Sequence, residues 1–242
     1  FALACISMSL LSFSQKKEIK KDTINLLSEV VINSDAIIGN TFKTKNKAGS
    51  SFYISEADLK VFKQDDISRV LINVPGVTIQ ETDGFGLRPS IGMRGTNPDR
   101  SSKITLMEDG VLIAPAPYSA PSAYYFPTVG RMKAFEIIKG GSQIQYGPYT
   151  TAGALNMVST QIPSTFSGNI SATYGSNNTK HFYTNIGDYF KNFAYLVEYN
   201  NRNSDGFMDM DYSSKKTGFD ANDYVAKFRL NTDLDAKIYQ SL

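Results

Sequence analysis

The residues able to do chemistry are few and poorly arranged for it. The chain holds one cysteine, Cys5, and one histidine, His181. No internal disulfide, Cys/His metal cluster or Cys–His nucleophilic pair can be assembled from them. Asp205, Asp209 and Asp211 share a polar stretch, but they do not follow the calcium-loop spacing and read as solvated loop charges. Gly84-Phe85-Gly86 starts like a dinucleotide fingerprint without its last glycine, and Lys139-Gly140-Gly141-Ser142 lacks phosphate-loop spacing. No carboxylate pair stands out as acid and base. His181, followed by Phe182 and Tyr183, reads as wall packing rather than as a ligand. Catalytic residues, a metal site and a cofactor are all absent from this reading, and the protein is not expected to be an enzyme.

The composition narrows the class of partner. Across 242 residues, 41% are apolar and the net charge is +2, which leaves no electrostatic footprint for nucleic acid. Fourteen Tyr and 15 Phe with no Trp suit β-strands, and equally the interfacial girdles of membrane barrels. Phe1 to Phe13 is mostly apolar, and Ser12 and Ser14 are small residues before a possible cut at Gln15. Residues 1–14 are therefore expected to be part of an export signal. The run falls short of the ~20 residues that span a bilayer. A lipoprotein cut at Cys5 is disfavoured because the apolar stretch continues past it.

Residues 15–51 read as linker, polar and Lys/Gly/Ser-rich, interrupted by the β-prone cluster Leu27-Ser28-Glu29-Val30-Val31-Ile32. Such a segment is either a strand of the next domain or a peptide held for a partner by edge-strand addition. Residues 52–163 form a compact part. Ile67, Val70, Leu71 and Val74 recur at helical spacing behind Asp65-Asp66 and ahead of Pro75-Gly76. Short strands are expected at 77–80, 90–93, 103–107, 111–113, 134–138 and 154–158.

From residue 164 the pattern changes to alternation. Ile170, Ala172 and Tyr174 share one face; so do Phe193, Tyr195, Val197 and Tyr199, opposite Ala194, Leu196 and Glu198; so do Tyr224, Ala226, Phe228 and Leu230, opposite Val225, Lys227 and Arg229. Stretches 181–187 and 237–242 fit less cleanly. A membrane barrel and a soluble antiparallel sheet both produce this alternation. The connections favour the barrel. If the first strand rises from the periplasm, the long polar connection 203–222 falls outside, and the short turns 188–192 and 231–235 fall on the periplasmic side.

Four segments in order resemble the plug of TonB-dependent receptors: Asp66–Ile79 with its helix and Val-Pro-Gly-Val exit, Ile91-Gly92-Met93-Arg94-Gly95, the strand Ile104–Val111 through Asp-Gly, and Arg131–Pro148 followed by Gly153–Thr160. The resemblance implies an α+β plug domain (52–163) followed by the start of a transmembrane antiparallel β-barrel (164–242). Four or five strands out of about 22 in a plugged transporter make the chain, on this reading, a truncated one. It implies an outer-membrane location in a Gram-negative cell, with membrane lipid around the wall.

The same resemblance assigns roles to residues. Leu27, Ser28, Glu29, Val30, Val31 and Ile32 resemble the TonB box, which takes a strand from the TonB energy-transducing protein. Arg94 and Lys139 correspond to plug cations that pair with barrel carboxylates and seat the plug. Within the family, Pro89–Tyr149 resembles ferric citrate receptors most, which places Asn97, Arg100, Pro117 and Tyr118 on outward loops that touch an iron chelate. Arg100 would meet an anionic chelate, or else pair with Asp99 or a barrel loop. Other ligands of the family (cobalamin, other siderophores, glycans) remain open. A passive porin would need no plug, and a secreted β-rich binding module would need the chain to be complete.

Overall fold

The computed structural model describes residues 41–46, 49–62, 66–114, 125–140, 146, 151–190, 192–209, 211–212, 216–230 and 240–241. All belong to the unit Asn33–Leu242. Residues 1–14, expected to be export signal, and the Leu27–Ile32 segment lie outside the described residues.

Helix α1 (Thr41–Asn46) leads into strand β1 (Ser50–Ile54), so part of the stretch read as linker is ordered into elements. The cause is pairing at a distance. β1 runs antiparallel to β6 (Met132–Lys139), with Ser50 opposite Lys139 and Ile54 opposite Phe135. A Gly/Ser/Lys run has no hydrophobic period to reveal such a partner. Helix α2 (Glu56–Phe62) opens on a reciprocal cap: Ser55 N donates to Asp58 Oδ2 at 2.9 Å and Asp58 N to Ser55 Oγ at 3.3 Å.

Helix α3 (Ile67–Leu71) starts at Asp66, whose carboxylate accepts from Ser68 N at 2.8 Å. Its apolar side is fully buried at Ile67 and Leu71. Pro75-Gly76 stops it, with Gly76 at φ 74°, a conformation glycine adopts without a Cβ penalty. The expected strands then follow: β2 (Val77–Gln80), β3 (Ser90–Met93), β4 (Ile104–Glu108), β5 (Val111–Ala114), β6, and β7 (Gly153–Ser159).

β2 and β3 form a hairpin, while the other strands make a mixed sheet in the order β1-β6-β7-β4-β5. Only β4 and β7 run parallel; the remaining pairs are antiparallel. The core lies between this sheet and α2–α3, built from Ile54, Ile67, Leu71, Ile91, Met93, Leu106, Phe135, Ile137, Leu155 and Met157. Gly153 is required where β7 passes Met93, since a Cβ there would lie 2.7 Å from the Ile138 carbonyl oxygen. A buried charge sits where β4 ends and β6 begins. Arg131 is 3% exposed, and Glu108 holds it through two hydrogen bonds of 2.5 and 2.8 Å. Burial opposes the Arg131 charge, but the Glu108 carboxylate more than offsets it, so the guanidinium is held above its ordinary range.

The second sheet is a meander, β12-β11-β10-β9-β8, of β8 (Ser167–Tyr174), β9 (Lys180–Tyr189), β10 (Phe193–Ser204), β11 (Phe219–Leu230) and β12 (Gln240–Ser241). β10 and β11 run on past the stretches that alternate most clearly, staying paired from Phe193↔Leu230 to Ser204↔Phe219. The long connection is therefore 205–218 rather than 203–222. The β8–β9 turn places Asn177 and Asn178 at φ 55° and 53°, the conformation a tight hairpin requires.

This sheet is inside out for a soluble protein. Along β10 the buried positions are Ala194, Leu196, Glu198, Asn200, Arg202 and Ser204, while Phe193 (40%) and Val197 (44%) are exposed. The same outer face carries Ile170 (74%), Ile186 (44%), Tyr224 (77%) and Phe228 (49%). Apolar outside and polar inside is the wall of a membrane barrel, not a sheet packed on a water-soluble core. Of the two readings open at the sequence, the barrel wall holds.

Replacing Glu108 by Gln in the full-length protein should cost the plug roughly 3–5 kcal/mol, because it leaves Arg131 buried without its counter-charge. Calorimetry would read this as a lowered plug transition, restored in part by Arg131→Met; an unshifted transition would contradict the assignment.

Candidate plug-seating interface and outward loops

The β4–β5 hairpin turns on Asp109-Gly110, both left-handed at φ 50° and 79°. Glycine tolerates this; aspartate accepts it because its carboxylate is fully used. Asp109 accepts from Ser159 N at 2.8 Å and from Ser159 Oγ in a close contact, both at the end of β7. It also accepts from Lys227 Nζ of β11 at 2.7 Å. The same ammonium donates to Thr160 O at 3.0 Å and to Ser159 Oγ. Lys227 and Asp109 are 23% and 18% exposed, so the pair is shielded enough to exceed an ordinary surface ion pair.

A polar network extends from this point along the wall. Tyr183 OH of β9 donates to Glu198 of β10 at 2.6 Å and lies 3.1 Å from Thr160 Oγ1 of the plug. Asn185 Nδ2 donates to Tyr183 OH at 2.6 Å. Inside the plug, Gly110 N donates to Asn156 Oδ1 at 2.8 Å and Asn156 Nδ2 to the fully buried Glu136 at 2.7 Å. His181 joins the wall face, its Nε2 lying 2.6 Å from Asn200 Oδ1.

A second attachment is apolar. The plug loop between β2 and β3 is shaped by Asp83, whose carboxylate accepts from the backbone of Phe85, Leu87 and Arg88 at 2.7, 3.3 and 2.8 Å. The loop thereby presents Phe85 to Phe207 and Phe219, with ring centroids 5.2 and 4.7 Å away. Arg202 covers the Phe219 ring at 5.3 Å. Gly84 sits beside Phe207 at φ 69°, a left-handed conformation in which a side chain would be strained.

The residues singled out from sequence fall into three groups. Arg94 (φ 55°) and Lys139 come together at the far end of β6. Lys139 Nζ donates to Pro75 O at 2.6 Å, and burial, aided by the nearby Arg94 guanidinium, holds the ammonium below its usual value. Among the described residues neither cation has a carboxylate within ion-pair distance.

Asn97 and Arg100 sit on one loop. Asn97 Oδ1 accepts from Asp99 N at 3.1 Å, and Arg100 N donates to Ser90 Oγ at 3.2 Å. Arg100 and Ser101 are both left-handed, at φ 49° and 53°. Ser101 anchors the strain by donating to Pro89 O at 3.0 Å and accepting from Ile91 N at 2.9 Å. The Arg100 side chain is exposed and makes no ion pair with Asp99 among the described residues. Pro117, Tyr118 and Leu27–Ile32 lie outside the described residues.

Asp109, Ser159, Lys227 and Phe85 were not singled out from sequence. The available signal was Lys227 itself, a cation on the polar face of an alternating strand, where an inward charge must find a partner.

Residues 43–154 match the family described as the TonB-dependent Receptor Plug Domain. Similar solved structures include the ferric citrate transporter FecA in its unliganded form, with a TM-score of 0.66 and 24% identity over 81% of this chain and 31% of that one. The ferric yersiniabactin uptake receptor FyuA from Yersinia pestis gives 0.63 and 22% over 77% and 29%. The pyoverdine outer membrane receptor FpvA from Pseudomonas aeruginosa PAO1 gives 0.65 and 16% over 82% and 27%. The chain thus spans about 30% of the length of these structures.

In the full-length protein, Lys227→Met and Asp109→Asn should each loosen the plug, with a coupling energy of about 1–3 kcal/mol in a double-mutant cycle. Plug thermal transitions measure it, and strictly additive effects would show that the pair does not act as a unit. Phe85→Ala should destabilise the same transition by roughly 3 kcal/mol through loss of a packed aromatic, and an unchanged transition would dismiss the aromatic attachment.

Proposed function

We propose, for a chain that belongs to the TonB-dependent receptors through its plug domain at residues 43–154, that the whole protein takes up an iron chelate across the outer membrane. The observation that carries this reading is a plug tied by Lys227–Asp109 to the polar side of a sheet whose other side is apolar and exposed. A passive pore has no use for such a seated plug. On this reading residues 1–14 are export signal, 15–51 the coupling segment, 52–163 the plug and 164–242 the first wall strands.

Ferric citrate is the first ligand to test, ahead of siderophores and other family ligands. The Pro89–Tyr149 resemblance supports it. So does the exposed guanidinium of Arg100, which is not engaged by Asp99 and could make charge-assisted bonds to an anionic chelate. Asn97, Pro117 and Tyr118 would complete that contact. With a single Cys and a single His, the chain suits a chelated iron better than a bare ion.

Transport then requires the two plug states to differ in substrate affinity. Substrate on the outward loops favours the state in which Leu27–Ile32 is offered to the TonB protein, which adds a strand to it. Pulling on that segment must break the plug's seats on the wall: Lys227–Asp109, and Arg94 and Lys139 against carboxylates of further wall strands.

Deleting Leu27–Ile32 from the full-length receptor should abolish energised uptake of labelled ferric citrate while leaving surface binding intact; undiminished uptake would sink the coupling assignment. Arg100→Ala should weaken binding of the anionic chelate by about 10-fold or more, the worth of a charged hydrogen bond, in a direct titration. Equal affinity would remove Arg100 from the site.

A further inference from the structure

Arg100 takes its place from a loop other than its own. Its own loop, 94–103, lies along β3. Thr96 Oγ1 donates to Met93 O at 2.9 Å, and the Thr96 carbonyl passes so near Gly92 that a Cβ there would lie 2.5 Å from its oxygen. Arg100 N donates to Ser90 Oγ, and Ser101 Oγ donates to Pro89 O while accepting from Ile91 N. The left-handed backbone of Arg100 and Ser101 persists only where the surroundings over-determine it, and here residues 89–91 do so. Pro89 and Ser90 are both buried. They mark the point where the 81–89 loop ends and β3 begins.

That second loop is a stiff piece without a core. Thr82 Oγ1 donates to Arg88 O at 3.1 Å across its base, and Asp83 gathers the backbone N–H groups of Phe85, Leu87 and Arg88. A carboxylate used in this way fixes a turn from within. No residue from Glu81 to Arg88 is buried, however. Among the described strands β3 pairs only with β2, outside the five-stranded sheet. The core holds this hairpin through Ile91 and Met93 on β3. A two-stranded hairpin is marginal by itself, so the end beyond Ser90 takes its position from what its loop rests on.

The loop meets the wall through Phe85. The ring is tilted by 58° to Phe207 and by 54° to Phe219, within the range of arrangements that add directional attraction to burial. Phe219 opens β11, and Phe207 follows closely on the end of β10. Arg202, almost completely buried, backs the Phe219 ring. From the Phe85 ring to the Arg100 backbone, each link is a peptide bond or a hydrogen bond within two fastened loops. The route runs from Phe85 through the Asp83 turn to Pro89 and Ser90, then to Ser101 and Arg100.

We propose that Phe85 is a positioning residue for the anionic chelate: docked on Phe207 and Phe219, it sets the height and direction at which Arg100 presents its guanidinium. The proposal rests on the reading in which Arg100 meets the chelate. Phe85 acts through Arg100 and touches no substrate itself. The dependence is steep, because a hydrogen bond weakens sharply with angle and distance. Anchoring the loop on the wall also means that the wall, and not the plug alone, holds the chelate's charged contact in place.

The test is a double-mutant cycle on ferric citrate binding, titrated with the full-length receptor in detergent. Titrations are run well below the plug transition, where a plug that is merely less stable is still folded. Phe85→Ala should weaken binding by about five-fold or more while Arg100 is present, and by less than about two-fold once Arg100 is already alanine. A purely structural role would not show this dependence on Arg100. An equal loss in both backgrounds, or no loss in either, overturns the positioning role. Should Phe85→Ala melt below the assay temperature, Phe207→Ala removes part of the socket and leaves the plug sequence unaltered. It carries the same expectation and the same refutation. Arg100→Ala binding as tightly as wild type would remove Arg100 from the site and the proposal with it. Weakened binding by Arg100→Ala beside unaffected binding by Phe85→Ala overturns the positioning role alone.

Discussion

A wall that turns its apolar side outward must turn its polar side inward, and everything else in this structure answers to that constraint. Glu198, Asn200 and Arg202 are almost completely buried on β10, where unpaired polar groups would be costly. Water fills that role in an open pore; here the plug and the neighbouring strands do. Tyr183 gives its hydroxyl proton to Glu198 and meets Thr160, and Lys227 meets Asp109, Ser159 and Thr160. Plug and wall are thus tied by hydrogen bonds at these positions.

The same constraint explains the strained turns. Asp109, Arg100 and Ser101 are non-glycine residues in the left-handed region, each a cost of order 1–3 kcal/mol unless the surroundings supply a compensating bond. Asp109 is compensated by contacts from two other strands, and Ser101 by two backbone contacts with the loop before β3. Strain therefore collects at the turn that meets the wall and in the loop between β3 and β4. The seat is a polar lock at one end of β11 and an aromatic attachment at Phe219 near the other. A charged lock shielded from solvent is rigid when paired and readily lost when one partner moves.

Much of this was legible in the residues. The strands at 77–80 and 90–93, the capped helix behind Asp66 and the alternation from residue 167 onward follow from period, turn residues and caps, all local properties. β1 was not legible, because its pairing with β6 joins residues more than eighty positions apart and its first two residues, Ser50 and Ser51, close a Gly/Ser/Lys-rich run. Arg94 and Lys139 were legible as cations needing partners. Lys227 was legible only as a polar-face residue, since its partner lies 118 positions away.

What the sequence determined by itself was the resemblance of residues 43–154 to a plug domain and the two kinds of element: an α+β unit with its Gly-bearing turns, and strands with one apolar and one polar face. It could not determine which face is wet. Alternation with period two is identical for a soluble sheet and a membrane wall, because the backbone pleat alone sets it. Only the tertiary structure decided that question, by covering Glu198, Asn200 and Arg202 and leaving Ile170, Val197 and Phe228 bare. It also decided where the plug is tied. An ion pair is specified by two side chains meeting in space, and no property of either residue's neighbours in the chain records that meeting.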